Sequence, residues 1–423
     1  MGADRIGEYR RRVVDRELDE FLPHLPAISL DGLKGVGKTT TGAQRASTVL
    51  HLDDPDERAI LEADPTRITR VPGAVLLDEW PEWPRAWDVV RHAVDDGAPA
   101  GRYLLAGSAT PVARMHSGAG RIIPLRMRPM TLPERGVSDP TVGLSGLMAG
   151  PDEVGGESAL LLDDYLELIC RSGMPGIAST GSWRLAQVQL DGYLERLFDH
   201  EMGSLEGIRI RRPALVQQWA RAYAAATATT ASYEKLRDAA TPGESAKPTR
   251  VTAGEYRGML SRLWFLDPLE AWLPSATPLK RLGQAPKHHL ADPAFAARLL
   301  RLTPDQLRRE AHRNAALIGQ LWESLVALTL RVFAQPDSST VNHLRTQGGE
   351  HEVDFIIEAA DGRIVACEAK LAGTPSDADV KHLHWLRGIL ADRLVAMVVV
   401  TAGKHAYTRP DGVHVVPLAL LGP

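Results

Sequence analysis

Residues 32–39 read Gly32-Leu33-Lys34-Gly35-Val36-Gly37-Lys38-Thr39, a complete G-x-x-x-x-G-K-T placed between an apolar run, Pro26 to Asp31, and a helical pattern from Lys38 to Leu50. Few features restrict a chain more. The glycines let the backbone curl so that its N–H groups point at phosphate oxygens, and the following helix adds the positive end of its dipole. A lysine in the seventh place reaches the β- and γ-phosphates, and the hydroxyl after it faces Mg²⁺. Gly32, Leu33, Lys34, Gly35, Val36, Gly37, Lys38, Thr39 and Thr40 are therefore expected to line a nucleotide, with Lys38 also catalytic and Thr39 also a metal ligand. ATP and Mg²⁺ are the expected cofactors.

The surrounding sequence supplies a suitable frame. Ala74-Val75-Leu76-Leu77-Asp78, Tyr103 to Gly107 and Arg121 to Leu125 are further short apolar runs separated by helical patterns. Strands joined through helices imply crossover connections and a mainly parallel sheet, whose ligands collect at the carboxyl ends of the strands. Asp78 closes one such run and suits the Mg²⁺ shell; Glu79 beside it suits a general base that polarises the attacking water. Ser108 ends the next run, where a hydroxyl can sense the γ-phosphate. Arg121 precedes another and is expected to neutralise γ-phosphate charge, in cis or across a subunit boundary, with Arg114 and Arg126 as alternates.

With 423 residues, 44% hydrophobic and 24% charged, the chain has material for several globular units. The net charge of −4 advertises no global affinity for nucleic acid. It is unevenly spread. Between Leu205 and Lys287, 13 Lys and Arg stand against 7 Asp and Glu, a net of +6. Arg250, Arg257 and Arg262 lie around one helical pattern there, and Lys280 and Arg281 follow a segment that reads as a hairpin wing, so DNA or RNA is an expected partner of residues 205–287. Cys170 and Cys367 are far apart, which excludes a disulfide framework and a cysteine zinc site. No run of about 18 apolar residues predicts a membrane span, and the charged start, Met1 to Arg16, lacks a leader core. A cytoplasmic location is expected.

Four segments follow from composition and periodicity. Residues 1–150 carry the nucleotide frame, ending in a Gly-, Pro- and Ser-rich connection over 136–156. Residues 151–204 have helical spacing, residues 205–300 are the basic segment, and residues 301–423 are α/β. In the last segment Asp354 falls in one strand pattern, and Glu368-Ala369-Lys370 falls in the next, across an Asp361-Gly362 turn. Strand alternation puts Glu368 and Lys370 on one face, and Glu323 on a preceding long helix adds a third carboxylate. Such a set, Glu323, Asp354 and Glu368, suits a hard divalent cation, with Lys370 orienting or deprotonating water.

Together these motifs resemble the AAA-type ATPases. Gly32 to Thr39, Asp78-Glu79-Trp80, Gly107-Ser108, Gly120-Arg121, Pro129 to Glu134 and Ser172-Gly173-Met174-Pro175 match in order, although Pro81 replaces the acidic or polar residue usual after the tryptophan. The chain is similar to a large group of uncharacterised prokaryotic AAA ATPases whose C-terminal half is a domain of unknown function. That resemblance implies an α/β fold: a P-loop parallel sheet with a helical lid, a winged-helix-like middle segment and a C-terminal restriction-endonuclease-like domain of the PD-(D/E)XK kind. It also implies ATP hydrolysis coupled to a nucleic-acid-acting C-terminal domain; a homo-oligomer is the further partner that an Arg121 acting across a subunit boundary would require. The alternative is a nucleotide-dependent switch or scaffold whose C-terminal domain binds without cleaving. A small-acceptor kinase finds no acceptor-binding signature.

Overall fold

The computed structural model describes residues 9–108, 118–202, 213–240, 248–273, 285–309 and 313–423. The chain divides into two compact units. The first comprises Met1–Pro129, Asp199–Arg211 and Gly258–Phe265; the second comprises Met130–Phe198, Arg212–Arg257 and Leu266–Pro423.

The first unit is built on five short strands: β1 (Ala27–Asp31), β2 (Thr48–His51), β3 (Val75–Asp78), β4 (Tyr103–Gly107) and β5 (Ile123–Arg126). All run parallel in the order β2-β3-β4-β1-β5. Their apolar, near-continuous sequences are those of strands covered on both faces. Val75, Leu77, Tyr103 and Leu105 alternate into one core with Leu50 of β2 and with Leu61, Trp80, Trp83, Val90 and Ile122, which come from the flanking helices and connections. Because every strand points the same way, Asp31, His51, Asp78, Gly107 and Arg126 gather at one edge; the register pairs Asp31 with both Gly107 and Arg126, and His51 with Asp78.

The second unit holds β6 (Val142–Gly143), β7 (Gly156–Glu157), β8 (Thr340–Arg345), β9 (Glu352–Glu358), β10 (Ile364–Lys370), β11 (Leu394–Thr401), β12 (His405–Thr408), β13 (Val413–Pro417) and β14 (Leu421–Gly422). Seven of them form a mixed sheet, β7-β12-β13-β11-β10-β9-β8, and β14 pairs with β6. β9 and β10 are antiparallel across the turn at Gly362, whose φ of 85° suits glycine. Leu383, Leu386 and Val380 of the helix Asp377–Leu390 cover one face, packed with Ile356, Ala366 and Val399.

Two expectations change here. The 136–156 stretch is not merely a connection: Val142 and Gly143 pair with Leu421 and Gly422, and Gly156 and Glu157 with Ala406 and His405. The N-terminal stretch of the first unit therefore runs to Pro129 rather than to residue 150, and the helices at 162–196 group with the second unit. Two-residue strands are too short to show any periodicity. Secondly, although no run of about 18 apolar residues occurs, the helix Ala315–Ala334 is long and apolar enough to cross a membrane. Its apolar window is 67% buried within the fold.

In the basic segment, helices Pro213–Ala225, Tyr233–Ala240 and Arg250–Arg262 are followed by antiparallel bridges, Leu266 with Leu290 and Leu269 with Lys287. Lys280 and Arg281 lie outside the described residues. Leu105 is fully buried in the central strand β4. Leu105→Ala should cost about 2–5 kcal/mol through lost burial and the cavity left behind. Urea unfolding should show this as a lower midpoint with an unchanged slope, and an unchanged midpoint would contradict the core described.

Candidate functional site

At the carboxyl end of β1 the chain turns through Gly32, where a Cβ would lie 2.3 Å from the Met127 carbonyl oxygen. Only glycine fits so close to backbone. Gly37, with φ 105°, then turns the chain into the helix Lys38–Ala43. Arg12 braces this loop from outside the motif, donating to the Val36 carbonyl (2.9 Å) and the Arg128 carbonyl (2.8 Å). Nothing local in the sequence marks that role, because its partners lie 24 and 116 residues away.

Lys38 is buried, and its ammonium donates to the carbonyls of Gly32 (2.9 Å) and Leu33 (2.8 Å). Burial pushes its pKa down to about 8, against the opposing pull of Glu79, Asp78 and Asp31. Thr39 Oγ1 donates to Asp78 Oδ1 at 2.7 Å, and His51 Nδ1 lies 3.3 Å from Asp78 Oδ2. Glu79 has φ 48° and ψ 46°, a left-handed conformation that costs a non-glycine residue about 1–3 kcal/mol. There its Oε2 accepts from Ser108 Oγ at 2.9 Å. Burial raises the Glu79 carboxyl above its usual range, against Lys38 and Ser108, which favours a carboxylate able to accept a proton. Pro81 is accommodated within a single 3₁₀ turn, Trp80–Glu82.

Lys38, Thr39, Asp78, Glu79 and Ser108 thus converge on one edge of the sheet, although they come from three separate strand ends. The hydroxyl of Thr39 and the carboxylate of Asp78 make an oxygen pair of the kind that takes Mg²⁺ beside phosphates, where the ion offsets phosphate charge. The two carbonyls now held by Lys38 are neutral acceptors that phosphate oxygens can replace.

Arg121 is placed elsewhere. It precedes β5, whose parallel register sets Ile123 beside Ile28 and Arg126 beside Asp31. Arg121 therefore lies at the opposite edge from the loop, about 10 Å or more along the strand. Its Nε donates to Asp95 Oδ1 at 2.9 Å, at the end of the helix Arg85–Asp95. The expectation that it acts on the γ-phosphate in cis is corrected: a residue before a parallel strand cannot reach the edge where that strand ends. Arg126 does stand at that edge, near enough to Asp31 to oppose in part the burial that raises its carboxyl pKa, and its guanidinium lies 4.3 Å over the Trp264 ring. Arg114 lies outside the described residues.

In the second unit, Asp354 of β9 and Glu368 of β10 meet through the register that pairs Cys367 with Phe355. Lys370 Nζ contacts Glu368 Oε2 at 3.0 Å. A divalent cation does not fit this set as folded. The ammonium of Lys287 stands among the carboxylates, 2.8 Å from Glu323, 2.9 Å from Glu352 and 3.0 Å from Asp354. The other oxygen of Asp354 accepts the Ala369 N–H at 3.0 Å. Among the described residues no group of three or more His, Cys, Asp or Glu is arranged to hold a metal ion. The expected metal site at Glu323, Asp354 and Glu368 is corrected accordingly. Its positions meet, but a protein cation fills the point that two of them share.

Burial opposes the charge of Lys287, Asp354, Glu323 and Glu368 alike. Lys287 nevertheless sits well above its ordinary pKa, because Asp354, Glu323 and Glu352 outweigh that cost. Asp354 is held down to about 2 by Lys287, Lys370 and the Ala369 amide despite burial. Glu323 is driven up to about 8 by burial and by the charge of Asp354. Burial and Asp354 also lift Glu368 well above the carboxylate range. Lys287 and Glu352 were invisible as site residues in sequence, since Lys287 meets Glu323 and Asp354 from 36 and 67 positions away.

A third feature lies in the basic segment. Trp219, Tyr233, Glu234, Arg237, Arg250 and Arg257 line a cleft of about 190 Å³. The Arg257 guanidinium lies 4.3 Å over the Tyr233 ring, and Arg250 pairs with Glu234.

Residues 24–135 match the family described as AAA domain. The first unit carries an AAA-type P-loop domain. Beyond the AAA domain, residues 162–306 match a domain of unknown function (DUF8612), and residues 318–421 match another (DUF4143). Uncharacterized proteins of Mycobacterium tuberculosis and Mycobacterium bovis are each 26% identical over 415 residues, spanning 96% of this chain and 83% of theirs. Among solved structures, a Walker-type ATPase of Pyrococcus abyssi aligns with TM-score 0.41 and 14% identity, over 69% of this chain and 95% of that one. The ORC2 protein of Aeropyrum pernix, in ADPNP–ADP complexes, aligns with TM-score 0.25 and 13% identity, over 76% and 97%.

Two predictions follow from the AAA domain. Glu79→Gln should retain ATP binding and slow hydrolysis by about 10²–10⁴, because the Asp78–Thr39 pair survives while the base is lost. Lys38→Ala should lose binding itself; phosphate release and a fluorescent-nucleotide titration distinguish the two. Arg126→Ala should slow turnover about tenfold or more with little change in ATP affinity, whereas Arg121→Ala stays within about twofold of wild type at protein concentrations that keep it monomeric. The reverse ranking would refute the assignment of the two sheet edges.

Proposed function

We propose that this protein binds and hydrolyses ATP with Mg²⁺ in its AAA domain and uses that cycle to govern a nucleic-acid-binding second unit. One observation carries the nucleotide half: Lys38, Thr39, Asp78, Glu79 and Ser108 meet at one sheet edge, with Thr39 already bonded to Asp78 and Ser108 to Glu79. A phosphate-binding loop, a metal-binding oxygen pair, a base of raised pKa and a hydroxyl beside it are the parts that phosphoryl transfer to water requires.

For the nucleic-acid half, the cleft between the helices Tyr233–Ala240 and Arg250–Arg262 supports the reading. Arg257 over the Tyr233 ring, with Arg237 and Arg250 lining the same cleft, suits phosphates and a stacked base. Three helices followed by a bridged pair of extended segments also agree with a winged-helix-like arrangement. The β9–β10 hairpin, with Asp354 on one strand and Glu368-Ala369-Lys370 on the other, supports a nuclease-like ancestry for the C-terminal domain. Lys287 within that hairpin's acidic cluster favours binding without cleavage, so the switch reading is preferred over the nuclease reading. A cytoplasmic setting suits the two free, buried cysteines.

The test is ATP turnover with and without DNA and RNA, with binding followed by anisotropy across a salt series and native mass measured with nucleotide bound. Affinity should fall with salt, and Arg237→Ala and Arg257→Ala should each reduce the salt slope by about one ion per lost phosphate contact. Wild-type protein should leave both nucleic acids uncut in Mg²⁺. Salt-independent or absent binding would remove the nucleic-acid half and leave the ATPase half standing.

A further inference from the structure

Lys287 is 2% exposed, the most deeply buried of the described lysines in the second unit, and it is ringed by three carboxylates within 3.0 Å. An ammonium taken out of water survives only where oxygen replaces its hydration. Here the replacement is a set of carboxyl oxygens drawn from separate elements: Glu323 from the long buried helix, and Glu352 and Asp354 from β9. Three carboxylate oxygens around one point is also the arrangement that a hard divalent cation seeks, at distances a few tenths of an ångström shorter. Beside them, Glu368 is 4% exposed and its Oε1 is buried with no hydrogen-bond partner. Its other oxygen is held by Lys370 at 3.0 Å, so one acceptor oxygen of Glu368 remains open to a further donor or cation.

We propose that Lys287 is an internal cation standing in the place of a divalent metal in the C-terminal acidic cluster, and that the cluster accepts such a metal only when Lys287 is taken out of it. The proposal rests on the nuclease-like reading of the β9–β10 hairpin for its choice of ligand, and it specifies how that centre is closed. Lys287 sits in the bridged pair that follows the basic helices, paired through backbone with Leu269. The cation that closes the cluster therefore arrives on the segment expected to meet nucleic acid.

Mn²⁺ binding to the full chain without nucleotide, followed by electron paramagnetic resonance, tests this directly. Asp354→Asn in each background identifies the signal that belongs to the cluster. Wild type should show no Asp354-dependent Mn²⁺. Lys287→Met should gain one ion per chain, bound about tenfold or more tightly than any wild-type signal, and Mn²⁺ should raise its melting temperature while leaving that of wild type unchanged. Because Lys287→Met leaves buried negative charge behind, Lys287→Met/Glu352→Gln provides a variant with one carboxylate fewer and the same expected gain. Asp354-dependent Mn²⁺ in wild type, or no gain in either variant, overturns the proposal. DNA and RNA cleavage is scored separately. Gain of metal without cleavage upholds the role of Lys287 and removes only the nuclease-like reading.

Discussion

A lysine ammonium removed from water must be surrounded by oxygen, and both candidate sites are organised around that requirement. Lys38 meets it with two backbone carbonyls of its own loop, and Lys287 with three carboxylates. The difference in partner decides the difference in behaviour. Neutral carbonyls hold a charge loosely enough for phosphate to replace them, and burial lowers the pKa of Lys38 to about 8 despite the nearby carboxylates of Glu79, Asp78 and Asp31. The buried carboxylate of Asp354, held in its charged form, grips Lys287 firmly, and breaking such a pair by deleting a partner costs about 3–5 kcal/mol. One lysine is poised for exchange; the other is locked.

The same contrast extends to the surrounding carboxylates. Asp78 keeps one oxygen on Thr39 and the other near His51, partners that suit a metal ligand waiting beside phosphates. Asp354 has both oxygens committed, one to Lys287 and one to the Ala369 amide. Glu79 owes its position to a strained backbone at the end of β3, a cost supported by the buried strand before it and by Trp80 packed after it. The nucleotide site is thus built from exchangeable contacts on a rigid parallel sheet, and the C-terminal cluster from contacts that neutralise one another.

Much of this was legible in the residues alone. The loop from Gly32 to Thr39, the acidic end of β3, the hydroxyl after β4 and the β9–β10 hairpin all announce themselves through local spacing, because glycine turns and strand alternation act over a few residues. Arg121 was misplaced for a related reason. Its neighbourhood, glycines before an apolar strand, says where a strand begins but not which end faces the ligand; the parallel register with β1 settles that and brings Arg126 forward. The pairing of Val142 and Gly156 with the chain's last strands was out of reach, since two-residue strands have no period to detect.

From the residues alone came a nucleotide-binding loop on a parallel α/β frame, the Asp78-Glu79 pair at the end of β3, and the carboxylates of the C-terminal hairpin. Each depends on covalent neighbours, whose geometry is set within a turn or a strand. Tertiary structure alone decided which arginine stands at the phosphate edge, that Arg12 braces the loop, and that Lys287 fills the carboxylate cluster. These depend on charges meeting across tens of residues. Nothing in the local chain records such a meeting, because the energy that selects it exists only once the surrounding core has excluded water.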